Sequence, residues 1–401
     1  MEYTELTNCR FCNKNLIDLI SMGEDFPLAG GFMRNENEFV NEKLYPLSLS
    51  FCEKCKLLQC KQIINSDTLF KKGYFYYSSS IPMLVNHFEI FASTINNMVK
   101  EPSKNLIVEL GCNDGVFLKP LKKYGFKVIG VDPSNTVDLI KNDFLIYNDY
   151  FDEKLSKKIV EENGQCDIIV SSNSFAHIND MKSVLNGIKN ILKPNGLIII
   201  EVHYSKTIID DLQFDFIYHE HMTYYTVTSF YNISLLYGMT LEDVEFTNIH
   251  GNSIRVYLRN TVNTNKLNKN VSNIIESEKH LNDISTYNQY NILLQKWKND
   301  IIEILQNYSK IYGYGASGRT NIICKFLNLN LTEIIDDSPN KIGNYTPVYH
   351  KKIKPFSIIE ENVPDLIIIL SWPYVDDIIP KLKNIYKGKI LIPLPNIKLD
   401  R

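Results

Sequence analysis

The chain has 401 residues, with 43 lysines and arginines against 46 aspartates and glutamates and a formal net charge of −3. That balance leaves no electrostatic footprint for nucleic acid or an anionic membrane, so a small-molecule partner is expected. The length suffices for two or three domains with their own cores. No apolar run approaches the roughly 18 residues a membrane helix needs, and Met1-Glu-Tyr-Thr-Glu5 lacks the basic-then-apolar order of a signal peptide. A cytoplasmic location is therefore expected.

Eight cysteines are too few and too unevenly spread for a disulfide scaffold in a chain of this size. Four fall into two C-x-x-C knuckles, Cys9/Cys12 and Cys52/Cys55, a spacing that suits a tetrahedral thiolate site for Zn²⁺. A redox-active pair is the competing reading, but two such pairs in one small module favour a metal. A closed four-thiolate site has no open position for substrate, so its expected task is structural. Residues 1–73 are read as this zinc module. The aromatic run after it, with Tyr74 and Tyr76, is either a plain strand or turn or a cover over a cofactor.

A helix is predicted over residues 81–98, and the next stretch is the most informative in the chain. Leu106-Ile-Val-Glu-Leu110 is an apolar run, Gly111-Cys-Asn-Asp-Gly115 a tight turn, residues 116–121 a helix, and Val128-Ile-Gly-Val-Asp132 a second apolar run ending on a carboxylate. Together they describe one βαβ unit with a nucleoside-binding turn. The dinucleotide pattern G-x-G-x-x-G is not met, so no pyrophosphate seat is evident. With Glu109 at the strand tip and Asp132 placed to take a ribose diol, S-adenosylmethionine fits: it has the diol and an ammonium, and no phosphates.

A third short run (144–147) follows, then the stretch 166–180, a buried strand opening onto polar residues that include His177, an amphipathic helix at 184–192, Lys193-Pro-Asn-Gly196 and the strand Leu197–Val202. This order looks like the second half of a class I methyltransferase sheet. A helix at 229–236 and antiparallel strands at 241–246 and 253–258 close it, giving a domain over 74–262. Residues 265–309 are polar with apolar positions at helical spacing, read as one or two helices between domains. At Gly313-Tyr-Gly315-Ala-Ser-Gly318 the dinucleotide pattern is satisfied, with Asp336-Asp337 about 20 residues on. Two more strands follow, at 365–372 and 389–394. This last domain, 263–401 with its helical linker, is smaller than a dehydrogenase domain and better sized for one nucleotide diphosphate.

Zinc knuckles, "ELGCNDG", "AHIND", "YHEH", "HGNS" and "GYGASG" in this order resemble the sugar C-methyltransferase family, whose members act on nucleotide-linked sugars in natural-product and surface-polysaccharide biosynthesis. The resemblance covers essentially the whole chain. It implies an α/β protein in three parts: an N-terminal zinc-binding module, a class I S-adenosylmethionine domain with a Rossmann-like sheet, and a smaller Rossmann-like C-terminal domain that holds the sugar nucleotide. Catalysis is then expected from His177, Tyr218, Glu220 and His221, with His221 the base. The expected cofactor residues are Tyr74, Tyr76, Glu109, Gly111, Asn113, Asp114, Gly115, Asp132, Asp149 and Asn173. Those for the substrate are Gly315, Ser317, Arg319, His250 and Asn252. Two departures from the family bear on the sugar pocket: Gly30 stands where the family usually has asparagine after Pro-Leu-Ala, and Tyr77 thickens the aromatic run.

A carbon beside a ketone becomes nucleophilic only as its enolate, which needs a base near the C–H and donors for the developing oxyanion. His221 suits the first task, and His177 and Tyr218 the second, with Glu220 left to orient an imidazole or bond a sugar hydroxyl. The same histidine could deprotonate a hydroxyl, giving O-methylation. Two further readings stand beside these: an NAD-dependent sugar-nucleotide oxidoreductase built on Gly313–Gly318, and a zinc-containing scaffold with no turnover. Tyr218–His221 could also be a polar strand whose His219 and His221 share a face toward a metal.

Overall fold

The computed structural model describes residues 3–71, 77–261 and 267–400. Tyr74 and Tyr76 lie outside the described residues. The zinc module is an antiparallel sheet of β1 (Ile17–Phe26), β2 (Tyr45–Cys52) and β3 (Leu57–Cys60). Its apolar positions face inward, and β3 is buried along its whole length. The two knuckles sit in the turns that flank these strands.

Helix α1 (Pro82–Met98) starts with proline at its first position, where no amide partner is needed, and buries Leu84, Phe88, Phe91, Ala92 and Ile95 on one stripe. The central domain then builds β4 (Leu106–Leu110), α2 (Leu118–Lys123), β5 (Lys127–Val131), β6 (Leu145–Tyr147), α3 (Glu153–Asn163), β7 (Cys166–Ser172), α4 (Met181–Ile191) and β8 (Leu192–His203). Its strands are near-continuous apolar runs because helices cover both faces. Strand β8 reaches back through the predicted Lys193–Gly196 turn to Leu192, with a register shift between Leu192 and Leu197.

The segment after β8 holds "YHEH", and here structure and expectation differ. Residues 218–222 are not a strand; only β9 (Thr223–Tyr224) is, and it pairs with Leu58 and Gln59 of β3, extending the zinc module's sheet to four strands. His219 and His221 consequently diverge: His219 Nε2 donates to the Pro46 carbonyl (2.9 Å), while His221 turns the other way. Among the described residues the only metal-ligand cluster is the four cysteines.

Helix α5 (Val227–Leu236), capped by Thr226, leads to the hairpin β10 (Thr240–Thr247) and β11 (Ser253–Arg259). The sheet order is β10-β11-β8-β7-β4-β5-β6, parallel except for β11, which runs against both neighbours. The order reverses between β4 and β7, and in open α/β sheets ligands bind beyond the carboxyl ends of the strands at that switch point.

The expected linker helices are α6 (Lys269–Ser277) and α7 (Ile284–Leu305), the latter burying Tyr287, Tyr290, Leu294, Trp297 and Ile301. The C-terminal unit holds β12 (Ile311–Tyr314), α8 (Gly318–Leu327), β13 (Glu333–Ile335), β14 (Ile353–Lys354), β15 (Leu366–Ile369), α9 (Val375–Ile385), β16 (Lys389–Ile392) and β17 (Lys398–Asp400), in the order β14-β13-β12-β15-β16-β17. The sequence reads three strands here. The other three are two or three residues long, too short for a periodicity to register. No helix among the described residues is long and apolar enough to cross a membrane.

Candidate active site at the junction of the three modules

In the first glycine turn the N–H groups of Gly111 and Cys112 both donate to the Val131 carbonyl, folding the turn over the tips of β4 and β5. Gly111 has φ +80°, and a Cβ there would stand 2.3 Å from that of Ser174, so the close crossing of the β7 tip admits only glycine. Asn113 N–H donates to Asp132 Oδ2 (2.9 Å), and Ser134 N–H to Oδ1 (2.8 Å). Asn113 and Asp114 also tie down the segment entering α1: Ser78 N–H donates to Asn113 Oδ1 and Ser79 N–H and Oγ–H to Asp114. Glu109 is buried with Oε2 unpartnered, and burial, with Asp132 and Asp114 nearby, raises its pKa well above the carboxylate range.

A cavity of about 810 Å³ opens at this turn, lined by Gly111, Asn113, Asp132 and Asn173. It runs past His177, Tyr218, Glu220 and His221 and ends among His250, Ser317 and Arg319. Six expected residues stay off its wall; one is Asp114, whose carboxylate is taken up by Ser79. Glu109 is buried within β4, Gly115 closes the turn against Ile140, and Asp149 is exposed, accepting from Tyr150 N–H (2.8 Å). Asn252 is exposed at the β10–β11 turn, where its carbonyl accepts from Tyr204 N–H, and Gly315 is backed by Ser371.

In the middle of the cavity the partners fix the tautomers. A backbone carbonyl only accepts, so His221 Nδ1 donates to the Phe216 carbonyl (2.9 Å) and leaves a lone pair on Nε2. The Tyr218 hydroxyl donates to that lone pair (2.8 Å). His177 Nδ1 likewise donates to the Glu220 carbonyl (2.6 Å), and its ring centre is 4.9 Å from that of His221. Burial lowers the pKa of both imidazoles, His221 well below the usual range, with the neighbouring His177 adding to the effect. With Nδ1–H spent on Glu220 and the ring neutral, His177 offers a lone pair rather than the oxyanion donor expected of it. Glu220 is also engaged: its carboxylate accepts from Gly30 N–H (2.8 Å) and from Ala29 N–H (3.4 Å), so it anchors the zinc module's 27–31 loop and orients no imidazole.

That loop reaches the second glycine turn as well. Asn321 donates to the Ala29 carbonyl (2.9 Å), and a Cβ on Gly318 would come within 3.0 Å of the Ala29 methyl. The turn is built like the first, with Ala316 N–H donating to Asp336 Oδ2 (2.8 Å) and Ser317 capping α8. Arg319 faces Asp215 (3.7 Å), lies over the Phe216 ring and is flanked by Trp372, whose indole N–H donates to Asp215 (2.8 Å).

Sequence reasoning passed over His203, the last residue of β8. It lines the cavity and stacks on Phe216 with ring centres 3.7 Å apart. A signal existed: the residue ending a buried parallel strand faces the ligand crevice. For Asp215 and Trp372 no local pattern points to a role.

At the other end of the zinc module the four thiols lie within 4.8 Å of one another, Cys9 to Cys55 at 3.8 Å and Cys12 to Cys52 at 3.5 Å. A tetrahedron with Zn–S of about 2.3 Å has its sulfurs roughly 3.8 Å apart, so the donor set fits zinc. None of the four is in a disulfide.

Family models match in consecutive blocks: a zinc binding domain over 9–70, a methyltransferase domain over 85–244 and a C-methyltransferase C-terminal domain over 248–395. The C-methyltransferase NovU of Streptomyces niveus is 26% identical over 404 residues, covering 97% of this chain and 96% of that one. The chain is an S-adenosylmethionine-dependent methyltransferase with the domain order of a zinc-binding C-methyltransferase. A ubiquinone biosynthesis O-methyltransferase of Bartonella tribocorum is 29% identical over 103 residues, covering 25% of this methyltransferase and 42% of that protein. Among solved structures, the PH0226 protein of Pyrococcus horikoshii OT3 matches at 16% identity over 46% of this chain and 94% of that one, TM-score 0.37. A SAM dependent methyltransferase from Archaeoglobus fulgidus matches at 15% over 43% and 94%, TM-score 0.35. The oxidoreductase reading of Gly313–Gly318 gives way, because that turn lies inside the C-methyltransferase C-terminal match.

Proposed function

We propose that the methyltransferase moves a methyl group from S-adenosylmethionine to a carbon beside the keto group of a nucleotide-linked sugar. One observation carries this reading: a continuous cavity joins two glycine turns, with a hydroxyl–imidazole pair between them. Bound at Gly111, Asn113 and Asp132, the cofactor supplies an electrophilic methyl on a sulfonium. The nucleotide belongs at the other end, near Ser317 and Arg319, where the N-terminus of α8 favours a diphosphate.

The protein then has one proton to remove and one oxygen to stabilise. Tyr218 has a single hydroxyl proton, given either to His221 Nε2 or to a keto oxygen. With the acceptor in place it serves the oxygen, and the freed Nε2 lone pair takes the proton from the adjacent carbon. His177 Nε2 accepts from a sugar hydroxyl, and Glu220 keeps the 27–31 loop over the junction.

Incubation of a panel of nucleotide-linked keto sugars and their reduced alcohols with enzyme and cofactor, read by mass spectrometry, tests the proposal. A methyl gained on carbon in the keto series is the expected product. Methylation of the alcohols alone would convert the reading to O-methyl transfer.

Two further results are expected. Because burial holds His221 neutral well below its ordinary pKa of about 6.5, the acid limb of kcat/KM should fall below that pH. A limb at or above it would assign the proton step to another group. Arg319→Ala should raise the dissociation constant for nucleotide sugars by about tenfold, the loss of one charge-assisted hydrogen bond, and leave that for S-adenosylmethionine unchanged. The opposite pattern in titration calorimetry would remove Arg319 from the nucleotide end.

A further inference from the structure

Beyond the residues already given roles, one imidazole on the cavity wall has no task. His203 ends β8, is 9% exposed, and has no hydrogen-bond partner on either ring nitrogen. The Gln213 side chain and the His250 backbone lie close enough to favour its protonated form, but outside full hydrogen-bonding geometry. Beside it Arg319, also 9% exposed, has Nη1 without a hydrogen-bond partner. Both side chains pack on the same ring, with Phe216 3.7 Å from the His203 ring centre and 4.6 Å from the Arg319 guanidinium carbon. Buried polar groups are nearly always satisfied, so two unmet nitrogen-bearing groups side by side behind a cavity wall mark a place where a ligand oxygen completes the hydrogen bonding once a nitrogen turns outward.

The chemistry of that demand is specific. Burial, with His250 and Arg319 close by, holds His203 neutral, so its ring presents one donor and one acceptor. The Arg319 charge is already opposed by buried Asp215. His203 therefore calls for a neutral group that both donates and accepts, while the Arg319 guanidinium, with several N–H groups, can meet a sugar oxygen on one and the nucleotide on another. Half a turn about Cβ–Cγ exchanges the ring's nitrogen and carbon positions while keeping the ring plane, so the stack on Phe216 does not prevent a nitrogen from turning to the cavity.

We propose that His203, with Arg319 beside it, binds a hydroxyl or carbonyl oxygen of the acceptor sugar and thereby sets which sugars are accepted. This subsite rests on the nucleotide-sugar reading and is separate from the Tyr218–His221 pair that moves the proton. It makes His203 a specificity-determining residue for the ring, with no share in the nucleotide.

Titration calorimetry on the full, zinc-loaded chain tests it with four probes: uridine and thymidine diphosphates and their glucose conjugates. For the wild-type protein at least one conjugate should bind more tightly than its bare diphosphate. In His203→Phe, which keeps a ring on Phe216 but removes both nitrogens, that gain should shrink by about tenfold, while the constants for the bare diphosphate and S-adenosylmethionine hold. His203→Asn, with one donor and one acceptor, should recover part of the gain and provides a second variant should the first not fold. An unchanged gain in both variants overturns the subsite, as does a parallel loss for the bare diphosphate. A wild-type protein that binds neither diphosphates nor conjugates overturns the nucleotide-sugar reading and the subsite with it.

Discussion

His221→Ala is expected to lower turnover by about 10²- to 10⁴-fold, the usual range for a general base. Affinity for S-adenosylmethionine should be unchanged. The imidazole meets Phe216 and Tyr218, whereas the glycine turn proposed for the cofactor is held by contacts among Asn113, Asp132 and Val131 that do not involve it. Tyr218→Phe isolates the second half of the pair. It leaves Nε2 free to act but removes the oxyanion donor, so kcat should fall by about 10²- to 10³-fold. Single-turnover kinetics with the acceptor found in the sugar panel measure both. Turnover at the wild-type rate in the alanine variant would take His221 out of the proton step.

The second large effect concerns the metal. Structural zinc contributes about 10–16 kcal/mol of apparent folding free energy in small thiolate modules, as much as or more than the 5–15 kcal/mol that keeps a whole domain folded. Cys12→Ser, or exhaustive chelation, should therefore unfold the N-terminal sheet and produce a separate transition well below the main one in calorimetry. Turnover should be lost with it, although no thiol touches the cavity. Ala29 and Gly30 belong to this module and hold the Glu220 carboxylate, and the Glu220 carbonyl in turn fixes His177. The sulfurs are also supported from outside: Gln59 donates to Cys9 Sγ (3.3 Å) and Cys55 N–H to Cys52 Sγ (3.4 Å). A metal-free protein, verified by elemental analysis, with one unshifted transition and full turnover would show that the site is dispensable.

How much of this was legible in the chain depends on sequence distance. The first βαβ unit could be read because strand periodicity, glycine turn and carboxylate fall within 27 residues, Leu106 to Asp132. The segment from Tyr218 to His221 could be recognised but not oriented. Its conformation is set by the Pro46 carbonyl on one side and the cavity on the other, and those partners lie far away in sequence. The three short strands of the C-terminal sheet were missed because two or three residues carry no period, and neighbouring strands alone make them strands.

By itself the sequence determined the three-part order, the four-cysteine cluster, the glycine turn with Asp132 at the head of the sheet, and the presence of an imidazole-rich segment after it. Each is written in spacings of a few residues, where local geometry links chemistry to position. Only the tertiary structure decided that Glu220 serves the 27–31 loop, 190 positions away, and that Asn321 closes the same loop from 292 positions away. It also decided that Arg319 faces Asp215, that His177 presents a lone pair, and that His203 stands unpartnered on the cavity wall. These are properties of a junction among three modules, and the hydrogen-bond partners that set a tautomer or engage a carboxylate exist only once the modules have packed.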